Sequence, residues 1–313
     1  MKKESRIYVA GHSGLVGSAI TRRLGSENYT NILRKTKEEL NLLHTEETDR
    51  FFEKEKPEYV FLAAAKVGGI HANSTLGAEF IYENLQVQNN VIHSSYLHGV
   101  KKLLFLGSSC IYPRECPQPI REEYLLSGYL EKTNEPYAIA KIAGIKMCEA
   151  YNKQYGTEFI SVMPTNLYGP NDNFNFASSH VLPALIHKFH EAKVSHNRNV
   201  SVWGTGTPRR EFLHVDDLAE ACVFLMNTYS ENEIINIGTG EDISIADLAK
   251  LVGDIIGYDG IIVQDTSKLD GTAQKLLDVS KLHALGWKHR IPLKKGIALT
   301  YEWFLKNMEN ARI

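Results

Sequence analysis

Ile7-Tyr8-Val9-Ala10-Gly11-His12-Ser13-Gly14-Leu15-Val16-Gly17-Ser18-Ala19-Ile20 is the stretch on which the reading of this chain turns. Four apolar residues suited to a buried strand run into a turn with glycines at 11, 14 and 17, and an amphipathic helical pattern follows. The first glycine permits a tight turn, the second lets a diphosphate approach the backbone, and the third lets helix and strand pack closely. The free N–H groups and positive dipole at the helix start then face the anion. Gly-rich turns also serve plain packing, but a strand before and a helix after favour dinucleotide binding. Gly11, His12, Ser13, Gly14, Leu15, Val16 and Gly17 are therefore the first candidate cofactor contacts.

Working outward, short apolar runs at 6–10, 31–34, 59–65, 102–108 and 159–164 alternate with helical spacing at 15–26, 45–54, 79–98 and 137–155. This alternation predicts an α/β fold, a Rossmann-like doubly wound parallel sheet with helices on both faces. Right-handed crossovers gather the C-terminal strand ends on one rim, where such sheets bind ligands. Beyond Pro164 the pattern loosens. Residues 171–175 read as a loop, 181–190, 243–256 and 293–305 as helices, and 234–237 as a strand rejoining the sheet. The division expected is a dinucleotide domain over 1–165, rejoined by 211–240. Residues 166–210 and 241–313 then form a smaller C-terminal substrate-binding lobe.

The formal net charge of -2 leaves no electrostatic reason to expect a nucleic-acid partner. The apolar stretch after Arg6 is too short for a signal-peptide core, and no later segment suits a bilayer, so no membrane partner is expected. Cys110, Cys116, Cys148 and Cys222 lack metal-ligand spacing, which predicts free thiols, no metal site and a cytoplasmic setting.

An acid at the end of the second strand would bind the ribose hydroxyls of NAD, whereas cations accommodate the 2′-phosphate of NADP. Ile32-Leu33-Arg34-Lys35-Thr36-Lys37 offers three cations and no acid before Glu38. Read as more than a solvated basic loop, it favours NADP, with Arg34 and Lys37 as contacts and Asn41 and Leu42 beside the adenine. Further on, Leu106-Gly107-Ser108-Ser109-Cys110 follows a strand, and Tyr137-Ala138-Ile139-Ala140-Lys141 opens a helix. Positions four apart share a helix face, so the Tyr137 phenol and Lys141 ammonium enter one site. A nearby ammonium stabilises a phenolate and prepares the hydroxyl for proton transfer. Ser108 can bond the same carbonyl oxygen. By residue type alone, Cys110 reads as a small core residue and His180 as a helix-cap or packing histidine.

Five strings carry a resemblance. They are Leu62-Ala63-Ala64-Ala65-Lys66-Val67-Gly68-Gly69-Ile70, Gly107-Ser108-Ser109-Cys110-Ile111-Tyr112-Pro113, Asn134-Glu135-Pro136-Tyr137-Ala138-Ile139-Ala140-Lys141, Met163-Pro164-Thr165-Asn166-Leu167-Tyr168-Gly169-Pro170 and Arg210-Glu211-Phe212-Leu213-His214-Val215-Asp216-Asp217. With them the chain resembles, over nearly its whole length, the extended short-chain dehydrogenase/reductases that modify nucleotide sugars, and their epimerase-reductase branch in particular. The resemblance implies conversion of GDP-4-keto-6-deoxy-D-mannose to GDP-L-fucose, by inversion at C3 and C5 and reduction of the 4-keto group with NADPH. The keto group acidifies the hydrogens on both neighbouring carbons, so one oxyanion site can serve either enolate.

The same resemblance makes Cys110 and His180 the acid–base pair for inversion, beside Ser108, Tyr137 and Lys141. It extends the cofactor contacts to Leu106, Gly107, Lys141, Pro164, Thr165, Asn166, Leu167 and His180. Asn166, Lys188, Trp203, Arg210, Asp270 and Lys275 are the implied substrate contacts, and a homodimer through helices 79–98 and 137–155 is expected. Cations suit the diphosphate, and a tryptophan can stack on a base or cover a sugar. Asp216 and Asp217 are expected to cap the helix that starts there.

The chain departs from its family pattern at Ser13, where arginine is common, and at His187-Lys188, where an arginine pair is usual. A related 4,6-dehydratase or 4-epimerase is the nearest alternative, but no Thr-Asp-Glu string follows Ser108. A non-catalytic NADP sensor or a degenerate scaffold would not need the Tyr137/Lys141 pair.

Overall fold

The computed structural model describes residues 1–309 except Ala177 and Leu269, with Ile70 and His71 described by backbone alone. In chain order, the first half forms β1 (Ile7–Ala10), α1 (Leu15–Ser26), β2 (Ile32–Leu33), α2 (Thr45–Glu55), β3 (Tyr59–Leu62), α3 (Ile70–Thr75), α4 (Gly77–Leu97), β4 (Lys102–Leu106), α5 (Glu135–Tyr155) and β5 (Phe159–Pro164). The second half continues with β6 (Asn166–Tyr168), α6 (Val181–Val194), β7 (Asn199–Trp203), β8 (Arg209–His214), α7 (Val215–Thr228), β9 (Ile235–Ile237) and β10 (Asp242–Ser244). It ends with α8 (Ile245–Ile256), β11 (Ile261–Asp265), β12 (Gln274–Lys275), α9 (Ser280–Ala284) and α10 (Leu293–Asn307).

β1, β4 and β5 are buried at every position, as strands covered on both faces must be. Along β4, Leu104 and Leu106 point into the core beneath α1 and α7, while Leu103 and Phe105 enter the core beneath α2, α4 and α5. That is the period of two expected of a strand. The sheet is parallel throughout, in the order β2-β1-β3-β4-β5-β9. Its direction of winding reverses at β1 and β3, which opens the ligand crevice at their C-terminal ends.

A second sheet centres on β8, which pairs with β6 and β12 in parallel and with β10 antiparallel. β7 and β11 form a separate parallel pair. α6, α8 and α10 enclose a third core around Phe189, Val252 and Phe304. Among the described residues no helix is long and apolar enough to cross a membrane.

Two details differ from the sequence expectation. Residues 242–244 pair with β8 as a strand, and the helix starts only at Ile245, where Ser244 Oγ accepts from Asp247 N at 3.0 Å. Asp216 and Asp217 are not the cap of α7. His214 Nδ1 accepts from Asp216 N at 3.2 Å instead, which leaves Asp216 to pair with Arg22 at 2.6 Å. Asp217 accepts from the backbone N–H groups of Arg290 and Ile291.

Candidate active site

The Gly-rich turn lies at the reversal of the sheet. Gly11 has φ +82°, and a Cβ there would come within 2.7 Å of Ala64 N. A Cβ on Gly17 would meet Gly11 O at 2.1 Å. Both glycines are therefore demanded by the protein itself. Gly14 is not, since a Cβ there would meet only Gly11 O at 3.6 Å, an ordinary contact. Its backbone is extended at φ -79° and ψ 175°, so nothing in the fold requires glycine. The space beside it suits a group approaching from outside.

Two further observations fit a diphosphate there. α1 has neither a side-chain cap nor an acid in its first turn, which leaves N–H groups and dipole for an anion. His12 Nδ1 is buried and has no hydrogen-bond partner among the described residues. At the end of β2, Arg34 and Lys37 are exposed and form no close ion pair among the described residues, while Lys35 pairs with Glu39 at 3.5 Å. Asn41 closes a local turn by accepting from Leu43 N at 3.2 Å, and Leu42 is buried with its carbonyl held by Asn90.

β4 delivers Leu106 and Gly107 to the same rim, and a 3₁₀ turn at Ser109–Ile111 follows. Ser108 Oγ accepts from Cys110 N at 3.2 Å, and Asn134 Nδ2 donates to Cys110 O at 3.4 Å, so the cysteine backbone is held from both sides. The Tyr137 phenol neighbours Ser108 and Cys110: burial raises its pKa, the Cys110 side chain adds to the effect, and the Ser108 hydroxyl works against it. Tyr137 is thus held in its protonated form.

Lys141 is buried, and burial pushes its ammonium down to about 8. Its Nζ donates to Leu106 O at 2.8 Å and lies 4.8 Å from the Phe105 ring centroid. The Tyr137/Lys141 spacing predicts an ammonium that lowers the phenol; in the structure Nζ is spent on the last carbonyl of β4, and desolvation governs Tyr137 instead.

His180 occupies the N-cap position of α6 without capping it by its side chain, so the ring remains available. Its side chain is exposed, yet the surrounding protein disfavours its charged form and lowers its pKa. Its approach is set by the turn after β3. Gly69 N donates to Ser178 O at 3.0 Å, and a Cβ on Gly69 would meet Ser179 O at 2.7 Å. The same turn packs Gly68 against Phe80, whose ring makes an edge contact with Tyr137 at 6.4 Å.

Arg210 extends the cluster, as its half-buried guanidinium interacts electrostatically with Cys110 and Asp270, while burial lowers its pKa. Lys275 sits opposite Arg210 in the β8–β12 register. Asn166 Nδ2 donates to Glu211 O at 2.8 Å. Thr165 N bonds Ile237 O, which ties the end of β5, with Pro164, to β9. Leu167 lies on β6 facing Leu213.

Trp203 is 54% exposed, with the Lys188 and Lys268 ammoniums 5.0 and 5.6 Å from its ring. Asp270 already accepts from Thr205 N at 2.9 Å and Thr205 Oγ1 at 2.7 Å, so it also serves to fix the turn after Trp203. Glu211, read from sequence only as part of a charged run, is fully buried at the junction of the two sheets. Its one signal in the sequence is an acid directly before the apolar pair Phe212-Leu213.

Residues 7–238 match the NAD dependent epimerase/dehydratase family. The chain is 60% identical over 308 residues to GDP-L-fucose synthase 1 of Arabidopsis thaliana, covering 98% of this chain and 95% of the relative. It is 53% identical over 318 residues to GDP-L-fucose synthase of Escherichia coli strain K12, covering 99% of each. Among solved structures, a GDP-L-fucose synthetase from Naegleria fowleri bound to NADP superposes with a TM-score of 0.93 at 32% identity, covering 100% of this chain and 98% of that one.

Proposed function

The chain belongs to the NAD dependent epimerase/dehydratase family, and from this we infer an NADP-dependent oxidoreductase that converts GDP-4-keto-6-deoxy-D-mannose to GDP-L-fucose. The observation that carries the reading is the grouping of Ser108, Cys110 and Tyr137: Ser108 Oγ accepts from Cys110 N at 3.2 Å, and Asn134, at the start of the helix that carries Tyr137, donates to Cys110 O at 3.4 Å. A simple reductase has no use for a cysteine at that point, whereas an epimerase needs a proton-exchanging group beside the carbonyl that acidifies its neighbours.

In this reading Cys110 and His180 exchange the protons at C3 and C5 from opposite faces of the ring. Ser108 and Tyr137 hydrogen-bond the 4-keto oxygen and stabilise each enolate in turn. NADPH, when bound, supplies the hydride for C4. Tyr137 gives its phenolic proton to the forming alkoxide, with Lys141, one helical turn along α5, as the nearest cation on its own helix face. Gly11 to Gly17 would hold the diphosphate of the cofactor, and Arg34 and Lys37 its 2′-phosphate. Leu106, Gly107, Lys141, Pro164, Thr165, Asn166, Leu167 and His180 would line the nicotinamide end, with Asn41 and Leu42 at the adenine. Arg210, Lys188 and Lys275 would hold the sugar nucleotide's phosphates, and Trp203, Asn166 and Asp270 its base and sugar.

The proposed division assigns residues 1–165 and 211–240 to NADP, and 166–210 and 241–313 to the substrate. The four free cysteines support a cytoplasmic enzyme. Exposed Tyr82, Ile139 and Tyr155 on α4 and α5 support a homodimer through those helices, which sedimentation would test. Mixing the purified protein with NADPH and GDP-4-keto-6-deoxy-D-mannose tests the function. Loss of NADPH absorbance with formation of GDP-L-fucose is expected, and unchanged absorbance or another product would refute the reading.

A further inference from the structure

Glu211 is 0% exposed, and among the described residues no lysine, arginine or histidine forms an ion pair with it. A buried carboxylate without a counter-ion is costly, and it persists where its oxygens satisfy groups that nothing else can reach. Here Oε1 accepts from Thr239 N at 2.6 Å and Gly240 N at 2.8 Å, and Oε2 accepts from Leu277 N at 3.0 Å. The first two donors follow β9, the last strand of the parallel sheet, and the third follows β12, which carries Lys275. The backbone carbonyl of Glu211 accepts from Asn166 Nδ2 at 2.8 Å and Thr165 Oγ1 at 3.3 Å.

Donors from three segments therefore converge on one residue, whose chain neighbour is Arg210. A neutral glutamine has a single acceptor oxygen, so one of the two donor groups would face an NH2 instead. Gly238 leaves the room required, because a Cβ there would come within 2.2 Å of Oε1.

We propose that Glu211 is a positioning residue that fastens Asn166, Arg210 and Lys275 into a preformed grip on the sugar nucleotide. The proposal rests on the reading above that these three residues bind the substrate. Thr165 and Asn166, which the same reading places at the nicotinamide, bond the backbone carbonyl of Glu211, which glutamine keeps, and Ser108, Tyr137, Lys141 and the Gly-rich turn lie outside its hydrogen bonds. Loss of the carboxylate therefore acts through Arg210 and Lys275 on substrate binding rather than on NADPH or the chemical step.

The test is steady-state kinetics of the full chain carrying Glu211→Gln, with GDP-4-keto-6-deoxy-D-mannose and NADPH varied in turn. The KM for the nucleotide sugar is expected to rise about ten-fold, while the KM for NADPH and kcat stay within about twofold. Gly238→Ala should give the same selective defect, and the double variant should be no worse than the worse single one. An unchanged KM for the nucleotide sugar, an equal loss in all three parameters, or additive defects would overturn the proposal.

Should the variants not fold, amide hydrogen exchange on the wild-type chain addresses the same point. Thr239, Gly240 and Leu277 should exchange as slowly as the strands of the parallel sheet, and exchange within seconds overturns the fastening. A wild-type chain without turnover of the nucleotide sugar would instead refute the proposed function, an outcome visible before any variant is compared.

Discussion

Replacing Lys141 with methionine is expected to stabilise the ligand-free protein while abolishing its turnover. The side chain is 4% exposed, and among the described residues no carboxylate pairs with it. Burial lowers the ammonium from 10.5 to about 8. At about 1.4 kcal/mol per factor of ten, this corresponds to about 3 kcal/mol that the charged form costs the fold at neutral pH. Methionine preserves much of the apolar stem but removes the donor to the Leu106 carbonyl, a loss of about 1–2 kcal/mol. The net gain is about 1–2 kcal/mol, or about 1.5–3 °C in Tm for a chain of this size.

The sign of the pH dependence follows. Because the folded pKa lies below the unfolded one, the unfolded chain binds the extra proton between them, and wild-type stability rises as pH passes from about 8 towards 10.5. The advantage of the variant is therefore widest at neutral pH and closes over that interval. Thermal unfolding followed by circular dichroism across this range measures both quantities. A variant that melts below the wild type at neutral pH, or a difference that does not change with pH, would refute the reasoning. Its reductase activity should fall by about 10²–10⁴.

Gly14→Ala should fold with an unchanged Tm but lose NADPH affinity by about ten-fold or more, measured by fluorescence titration, since only an outside group needs that space. Gly17→Ala should instead lose about 2 kcal/mol or more of stability in denaturant unfolding, because its Cβ would strike Gly11 O. Tyr137→Phe should reduce NADPH oxidation by about 10²–10⁴ while leaving Tm nearly unchanged, and an unaltered rate would remove Tyr137 from the mechanism. Cys110→Ser should lower deuterium uptake at C3 and C5 by about 10²-fold or more, read by NMR of the recovered sugar nucleotide.

The parallel sheet and the catalytic helix were legible because their signals are local. β1 is an unbroken apolar run, β4 and β5 are nearly so, broken only by Lys102 at the start of one and Ser161 within the other, and Tyr137 and Lys141 sit one helical turn apart. The second sheet was harder to read. β8 begins Arg209-Arg210-Glu211, which looks like a solvated run, and its partners β6, β10 and β12 are two or three residues long. Such strands carry too few residues for alternation to register, and they exist only because β8 is there to pair with. Residues 243–244 read as helix for the same reason, since Ile243 continues the apolar spacing of α8. His214 displaced Asp216 and Asp217 as the cap of α7 because its ring is buried against the N–H, a matter of tertiary placement. The identity of Glu211 as a junction depends on donors from residues 239, 240 and 277, which no local pattern brings together.

That one site both epimerises and reduces is tested by running the reaction in deuterium oxide with ordinary NADPH. The expected product is GDP-L-fucose carrying deuterium at C3 and C5 and protium, from the cofactor, at C4, with one NADPH consumed per product. A reduced product that retains protium at both C3 and C5 would rule out epimerisation in this site.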